Sequence, residues 1–425
     1  MRTPTLDVAI VGAGLTGLAA ARRAIELGLR AEVFEASDGV GGRVRSDRIN
    51  GFICDRGFQL VNPSYPALSR YYPKELLGSD SFHRLPRGVD VVMGERVHHL
   101  GDPRASLAFL KGDLSSATGS IAEKLRFARY LLAISRGRES ERGISTSDDS
   151  SFESEMLDLG VGTFYSRVIG PFASGVFLNL PSRVSARVAR ELIHYFLIGQ
   201  PGLPRGGVGE VSKLLAQGVE VHLRTPVDEI SDHYIRIGRR KVTSRAVIVA
   251  TDPISLESLV PVDSSGRRKR VTYASTMSAS TTWYHSVEGD DFPQLLRIDG
   301  GGGGPITNTI AISRLAPEYA PEGRTLISTT VMSAYGQEVS EARVRRHLSE
   351  LWKRDTSSWG LVAKYSIPKS LPLLAPGTPR QFSLALPVKR GSMLRYIAGD
   401  YLTLPAQQGA MESGIDAAEE IAARL

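Results

Sequence analysis

The residues Asp7 to Val11 form a short, largely apolar run of the kind buried inside a parallel sheet. Leu15 to Leu27 follows at helical spacing, with Ala19, Ala20 and Ala21 permitting close packing, and Gly28 ends it. Ala31 to Phe34 reads as a second strand. Asn50-Gly51 is a hairpin signal between two strand-like pieces of Arg45 to Leu60.

From Pro63 the pattern turns irregular, as if a different lobe began. Ser106 to Leu110 and Ile121 to Ser135 are helical in period, and the second places Ile121, Leu125, Ala128 and Leu132 on one face. Lys124, Arg126, Arg129, Arg136 and Arg138 accompany it. Such a helix either packs its apolar face and leaves a solvated basic one, or lies on an anionic membrane or in a partner's groove. Gly143 to Ser150 is a polar loop. Ser150 with Glu153 forms a capping-box start for a helix ending near Gly160. Phe164 to Leu180 is strongly apolar, with breaks at Gly170-Pro171 and Gly175, and reads as the wall of an internal cavity. Ser185 to Ile198 is a helix, and His194 and Tyr195 near its end read as core residues with satisfied hydrogen bonds.

Val219 to Leu223, Pro226 to Ile230, Tyr234 to Ile237 and Val242 to Ala250 make a series of strands. Thr272 to Tyr284 and Thr325 to Met332 are strand-like again. Gly300 to Gly304 reads as a flexible link. Glu341 to Trp352 is an amphipathic helix, and Trp352, Trp359 and Tyr365 are expected to pack beneath a sheet. A last strand ends at Gly399-Asp400, and a helix begins near Gln408, with Gly409, Ala410 and Gly414 on its close-packing side.

The candidate chemistry sits between the first strand and helix. Gly12, Gly14 and Gly17 have the spacing GxGxxG. The first glycine allows a tight turn, the second lets a diphosphate approach the backbone, and the third lets the helix pack on the strand. Free N–H groups at the helix start favour negative charge. Glu35, at the end of the second strand and 23 residues after Gly12, is placed to accept hydrogen bonds from a ribose diol. Gly41, Gly42 and Arg43 then complete ExxxxxGGR, a second glycine loop with a cation beside the same diphosphate.

This pairing resembles the FAD-binding signature of the flavin-containing amine oxidase superfamily, which includes monoamine and polyamine oxidases, protoporphyrinogen oxidase and phytoene desaturases. The resemblance covers the whole chain. It implies an α/β fold in which a Rossmann-like FAD-binding domain of the GR2 type (1–75, 203–260 and 385–425) is interleaved with an α+β substrate-binding domain (76–202 and 261–384). It also implies that Leu15 and Thr16 lie at the diphosphate with the three glycines, and that Gly57 and Phe58 pass beside the flavin ring. Gly206 and Gly207 match the double glycine before a helix, and Val227 matches a residue touching adenine through its backbone. Val247 to Asp252 matches a strand running under the diphosphate. In the C-terminal signature, Asp400 after Gly399 would hold a ribityl hydroxyl or a phosphate-linked water, and the helix start at Gln408 and Ala410 would face the pyrimidine end of the flavin.

Composition narrows the setting. A chain of 425 residues that is 42% hydrophobic can bury a large core and is expected to form two lobes. The net charge of +7, from 52 basic against 45 acidic residues, is spread along the chain, so the basic stripe of a nucleic-acid binder is lacking. The single cysteine, Cys54, excludes an intrachain disulfide, fits a reducing compartment and reads as a small buried thiol. No uncharged apolar run reaches the roughly 18 residues of a spanning helix, and the N-terminal apolar stretch is accounted for by the nucleotide unit. The expectation is a cytoplasmic protein, with peripheral membrane contact left open and the oligomeric state unknown.

The implied activity is an FAD-dependent oxidoreductase moving hydride from a C–H bond of a hydrophobic, polyene- or terpenoid-like substrate onto non-covalent FAD. Oxygen, a quinone or another carrier would accept the electrons, since no second strand-GxGxxG-helix unit offers a nicotinamide domain. Oxidation of an amine or a protoporphyrinogen is the alternative, and a non-redox isomerase or binding protein a further one. The tyrosine that completes the aromatic cage of monoamine oxidases would fall at Ala406, which counts against a simple amine. No cysteine near the C-terminus could anchor the flavin. Lys389 is a candidate for the lysine that some amine oxidases aim through water at the flavin, with a surface lysine as the other reading. No metal-ligand spacing, serine elbow or Walker loop is present.

Overall fold

The computed structural model describes residues 6–73, 77–78, 80–101, 108–136, 149–259, 276–332 and 338–425. The expectations at Ser106, Arg138, 143–148 and Thr272 lie outside them.

Two sheets organise the chain. The first has six strands in the order Ser383–Leu386, Leu394–Ala398, Ser244–Val249, Leu6–Val11, Ala31–Phe34 and Glu220–His222. All pair in parallel except the antiparallel edge strand Ser383–Leu386. Three distant stretches of chain thus build one sheet. Both faces of its central strand are covered, so Leu6–Val11 is apolar nearly throughout rather than alternating.

The helix Leu15–Glu26 covers one face through Leu18, Ala19, Ala20 and Ala21, all fully buried. Alanine on that face lets a second helix, Gln407–Ala422, lie close alongside. At the crossing a Cβ on Gly414 would collide with the carbonyl oxygen of Thr16. Arg23 pairs with Glu419 at 2.7 Å further along, so the two helices run in the same sense. Seven residues of the C-terminal helix precede Gly414, so it begins about two turns short of that crossing.

The second sheet has seven strands, in the order Gly360–Pro372, Met277–Glu288, Arg324–Met332, Ile306–Ala311, Leu296–Asp299, Gly88–Met93 and Arg96–Gly101. One face carries Trp283, Ile327 and Val331 and is covered by the helix Glu341–Trp352 together with Trp359. Tyr365 does not join them. Its strand pairs it with Thr282, on the opposite face, where its ring meets Tyr284 edge-on and its hydroxyl donates to Asp47 at 2.9 Å.

Three local expectations are corrected. Ser151, not Ser150, caps the helix Phe152–Asp158, accepting from the Ser154 amide, and the capping box forms instead between Ser120 and Glu123. The apolar stretch after Gly162 is helical, passing through a π turn at Tyr165–Ile169 into Gly170–Phe177. Pro171, with no N–H and a bulky ring, perturbs the ladder there without ending the helix. The glycine run after Asp299 is tied down rather than loose. Gly301 and Gly302 donate to Asp299 Oδ1 at 2.9 Å, Asp299 Oδ2 pairs with His347 at 3.2 Å, and a Cβ on Gly304 would overlap the His347 ring. Among the described residues no helix is long and apolar enough to cross a membrane.

Candidate active site

The strands Leu6–Val11, Ser244–Val249 and Leu394–Ala398 all end on the same edge of the parallel sheet, where ligands collect in such folds. The turn after the first strand is shaped by its glycines. Gly12 has φ +103°, in the region that favours glycine, and a Cβ there would stand 2.7 Å from the carbonyl oxygen of Ala250. A Cβ on Gly17 would strike the carbonyl oxygen of Gly12, so only glycine lets the helix seat on the turn. Gly14 differs, since a Cβ there would meet nothing within 4 Å. Leu15 and Thr16, the first helical residues, are buried.

Gly14 bridges to Gly41, whose amide donates to the Ala13 carbonyl at 2.7 Å. A Cβ on Gly42 would lie 3.3 Å from Gly14 Cα. The two glycine turns are therefore stacked back to back. Behind them, a Cβ on Gly41 would lie 2.7 Å from the Ser212 hydroxyl, on the helix Gly209–Leu215 that follows Gly206 and Gly207.

Glu35 accepts from the Ala13 amide at 2.7 Å and the Ser37 amide at 2.8 Å, which fixes the carboxylate beside the Gly12–Gly14 turn and leaves lone pairs on both oxygens. The Glu35 carbonyl accepts from Thr225, two residues before half-buried Val227, so that segment runs along the end of the second strand.

Arg43 reaches across the chain. Its guanidinium pairs with Asp400 at 2.7 Å and donates to the Ser370 carbonyl at 3.1 Å, joining the second glycine loop, the C-terminal segment and the seven-stranded sheet. The arginine side chain is 35% exposed while Asp400 is buried, so the cation presents an open side. Gly57 is buried against the same sheet, where a Cβ would lie 3.1 Å from Ile367, with half-buried Phe58 next to it. Gly399 is buried. Gln408 is buried too and accepts from the Ala67 amide at 3.0 Å, and Ala410 lies in the same first turn.

Some helix starts are closed by a side chain and others are not. The helices at Ile121, Ala186 and Glu341 begin on Ser120, Ser185 and Ser340, each hydroxyl accepting a first-turn amide. The helices Leu15–Glu26 and Gln407–Ala422 begin on Gly14 and Ala406, neither of which supplies a side-chain acceptor. Their first-turn N–H groups lack an internal cap, as at an anion-binding helix start. A cradle with no Cβ, an adjacent half-exposed arginine, a fixed carboxylate and two uncapped helix starts fit a dinucleotide carrying a diphosphate.

Other groups were not evident from local pattern. Asp55 is fully buried and accepts from Ser46 at 2.5 Å, Tyr319 at 2.9 Å and the Val208 amide at 3.1 Å, while its own carbonyl accepts from Tyr284 at 2.9 Å. Burial pushes its carboxyl up to about 6 against those three donors. It acts as a strut among four segments. Burial likewise pushes the Cys54 thiol up to about 12, which leaves it inert at neutral pH. Lys389 is exposed in the turn before Leu394–Ala398, and that parallel strand starts at the sheet edge opposite the glycine loops. The lysine near the cluster is Lys369, which pairs with Asp252 at 2.9 Å one residue before the Ser370 carbonyl that binds Arg43. Burial alone would raise the Asp252 carboxyl, but donors from Ser255 and Lys369 prevail and hold it below the usual range. Glu32, Glu220 and His222 also come together on the sheet's edge strand and the strand beside it, spaced too irregularly to read as a ligand set. His222 bonds to Glu32 at 2.9 Å and stacks on Phe34, so these groups satisfy one another.

Comparison with known proteins gives the same outline. The sequence profile of the family described as flavin containing amine oxidoreductase matches residues 15–422. A protein of Mycobacterium tuberculosis described as a flavin-containing monoamine oxidase is 36% identical over 107 residues, 25% of this chain and 24% of that one. Protoporphyrinogen oxidase 2 of Arabidopsis thaliana is 48% identical over 59 residues, 14% of this chain and 12% of that one. These matches span a quarter or less of the curated relatives' length. A crystal structure from Exiguobacterium sp. 255-15, described as a protoporphyrinogen oxidase, superposes with a TM-score of 0.71 over 100% of both chains at 17% identity, a likeness of fold.

Proposed function

This chain belongs to the flavin-containing amine oxidoreductase family, and from that premise we propose that it is an FAD-dependent oxidoreductase drawing hydride from a C–H bond of a hydrophobic substrate. Bound FAD supplies the hydride acceptor. The backbone of Gly14 and Gly42 and the start of the helix at Leu15 receive the diphosphate, with the Arg43 guanidinium, already oriented by Asp400, as its cation. The Glu35 carboxylate holds the ribose diol through its remaining lone pairs. Val227 borders the adenine end. The uncapped start of the C-terminal helix would turn the free N–H groups of its first turn, Gln408 among them and beside Ala410, toward the pyrimidine end of the flavin, where they would stabilise negative charge. Gly57, pressed on Ile367, brings the cofactor region against the seven-stranded sheet, which would form the substrate side of the site. The domains proposed are 1–75, 203–260 and 385–425 for the cofactor, and 76–202 and 261–384 for the substrate.

The observation that carries this reading is the open space at Gly14, bounded by Gly42, beside a Glu35 carboxylate already fixed by backbone amides and an Arg43 guanidinium already fixed by Asp400. The favoured substrate is a polyene or terpenoid-like hydrophobe, with oxygen, a quinone or another carrier as electron acceptor. Oxidation of an amine or a protoporphyrinogen is the second reading, supported by the descriptions of the relatives. Anaerobic mixing of the FAD-loaded protein with each class tests them. Bleaching of the flavin absorbance by the hydrophobe alone supports the first and bleaching by an amine or porphyrinogen supports the second. Turnover without net bleaching would overturn hydride removal as the net reaction, and failure of the purified protein to take up FAD would overturn both readings.

A further inference from the structure

The helix Ile121–Ser135 is amphipathic in an unusual sense, because the half it buries is not the one that carries its apolar line. Phe127, Tyr130 and Ile134 face the protein, with Phe127 edge-on to Phe164, the Tyr130 hydroxyl bonded to Glu155 at 2.7 Å and Ile134 buried. Ile121, Leu125, Ala128 and Leu132, at i, i+4, i+7 and i+11, lie along the other side. Their large members stand free, with Ile121 52%, Leu125 54% and Leu132 49% exposed. The packed-helix expectation for this line therefore fails. Leu114, before the helix, and Leu157, on the neighbouring helix Phe152–Asp158, are exposed as well. Five of the thirteen large apolar side chains exposed among the described residues thus gather in this region, where scatter over the surface would be ordinary.

The exposed charges that this helix itself places beside the line have one sign. Exposed Arg129 and Arg136 run along the helix next to the apolar stripe, while Arg126, also exposed, is engaged by the Gly160 carbonyl at 2.7 Å. Lys124 is turned inward, donating to the carbonyls of Asp113 and Ser115. The helix's one acid, Glu123, is engaged by Ser120 and by the Thr163 amide. The outer half of the helix therefore offers apolar side chains and guanidinium groups with no carboxylate among them.

We propose that this face docks on an anionic phospholipid bilayer, the apolar line entering the boundary between headgroups and chains while Arg129 and Arg136 meet the phosphates. On the helix itself the exposed charges beside the bare apolar line are all guanidinium groups, which complements an anionic lipid surface, while exposed Asp158 lies off the helix, next to Leu157. The inference does not depend on the flavin reading.

The test is co-sedimentation of the FAD-loaded full chain with vesicles of phosphatidylcholine alone or mixed with phosphatidylglycerol. The parent protein is expected to pellet with the mixed vesicles, to stay in solution with phosphatidylcholine alone, and to be released by salt. Arg129→Glu with Arg136→Glu lowers partitioning by roughly thirty-fold or more, from the attraction of two arginines alone. Leu125→Asp with Leu132→Asp abolishes it. All four positions are exposed, so unchanged melting temperature and flavin absorbance will show that the variants fold. Equal binding to both vesicle types, or variants that pellet like the parent, would overturn the proposal. So would a dimer on size exclusion that Leu125→Asp dissociates, which would assign the face to a second copy of the chain.

Discussion

Replacing Gly14 by alanine separates the needs of the fold from those of the ligand. Gly14 has φ −71° and ψ 179°, a conformation alanine adopts freely, and its Cβ would enter open space. Alanine is a poorer start to a helix than glycine, by up to about 1 kcal/mol, but it also restricts the unfolded chain by about 0.4–1 kcal/mol in the opposite direction. The apoprotein of Gly14→Ala should therefore melt close to the parent. Its affinity for FAD should not survive, because the methyl group occupies the approach to the backbone amides. Each hydrogen bond lost to a charged phosphate costs about 1.5–3 kcal/mol, so a single lost bond weakens binding at least about tenfold and two by roughly 150-fold or more. Gly17→Ala gives the opposite signature. Its Cβ would collide with the carbonyl oxygen of Gly12, so the helix must leave the strand, and a loss of about 3 kcal/mol or failure to fold is expected before any ligand is added. Thermal melts of both apoproteins, paired with titration of FAD followed by quenching of its fluorescence, supply the two axes. If Gly14→Ala bound FAD like the parent, or melted as low as Gly17→Ala, the space above Gly14 would not be the diphosphate site.

Three further perturbations probe the surrounding structure. The buried carboxyl of Asp55 is raised to about 6 from an ordinary 3.8, so the folded state holds an extra proton between those values, stability falls as pH rises through that window, and the cost above it is about 3 kcal/mol. Asp55→Asn, which keeps an acceptor for Ser46 and Val208, should remove that slope in urea titrations at pH 4 to 8, and an unchanged slope would assign it to other groups. Gly414→Ala drives a methyl into the carbonyl of Thr16 and should lower stability by about 1–3 kcal/mol, whereas Ala423→Gly just past the same helix should do little in the same melt. Lys389→Ala should leave FAD affinity and reduction kinetics unchanged, while Arg43→Ala should weaken FAD at least tenfold through loss of a charge-assisted contact. A kinetic defect in Lys389→Ala would require that turn to move toward the opposite sheet edge.

The parts of the site that could be read from sequence are those whose geometry is local. The strand from Asp7, the spacing of Gly12, Gly14 and Gly17, the helix, the second strand and Glu35 follow within a few tens of residues, and each glycine has a steric reason in the folded chain. The hairpin at Asn50-Gly51 formed as its turn residues demand, with positive φ at both. Where a residue's role depended on what arrives from elsewhere, the pattern failed. Lys389 sits near the last signature in sequence but at the wrong edge of the sheet. Lys369 and Ser370, in a strand without any motif, lie beside Asp252 and Arg43.

The sequence alone determined the type of local unit, because the periods of strands and helices and the tolerance of glycine for close approach act over a few residues. Only the tertiary structure decided that residues 6–34, 220–249 and 383–398 share one sheet, that Arg43 meets Asp400 across 357 positions, and that Tyr365 turns from Trp352 toward Asp47. It also decided that the apolar line of Ile121, Leu125 and Leu132 faces outward. Periodicity specifies that a helix has an apolar side. Whether another segment covers that side depends on the packing of the whole chain.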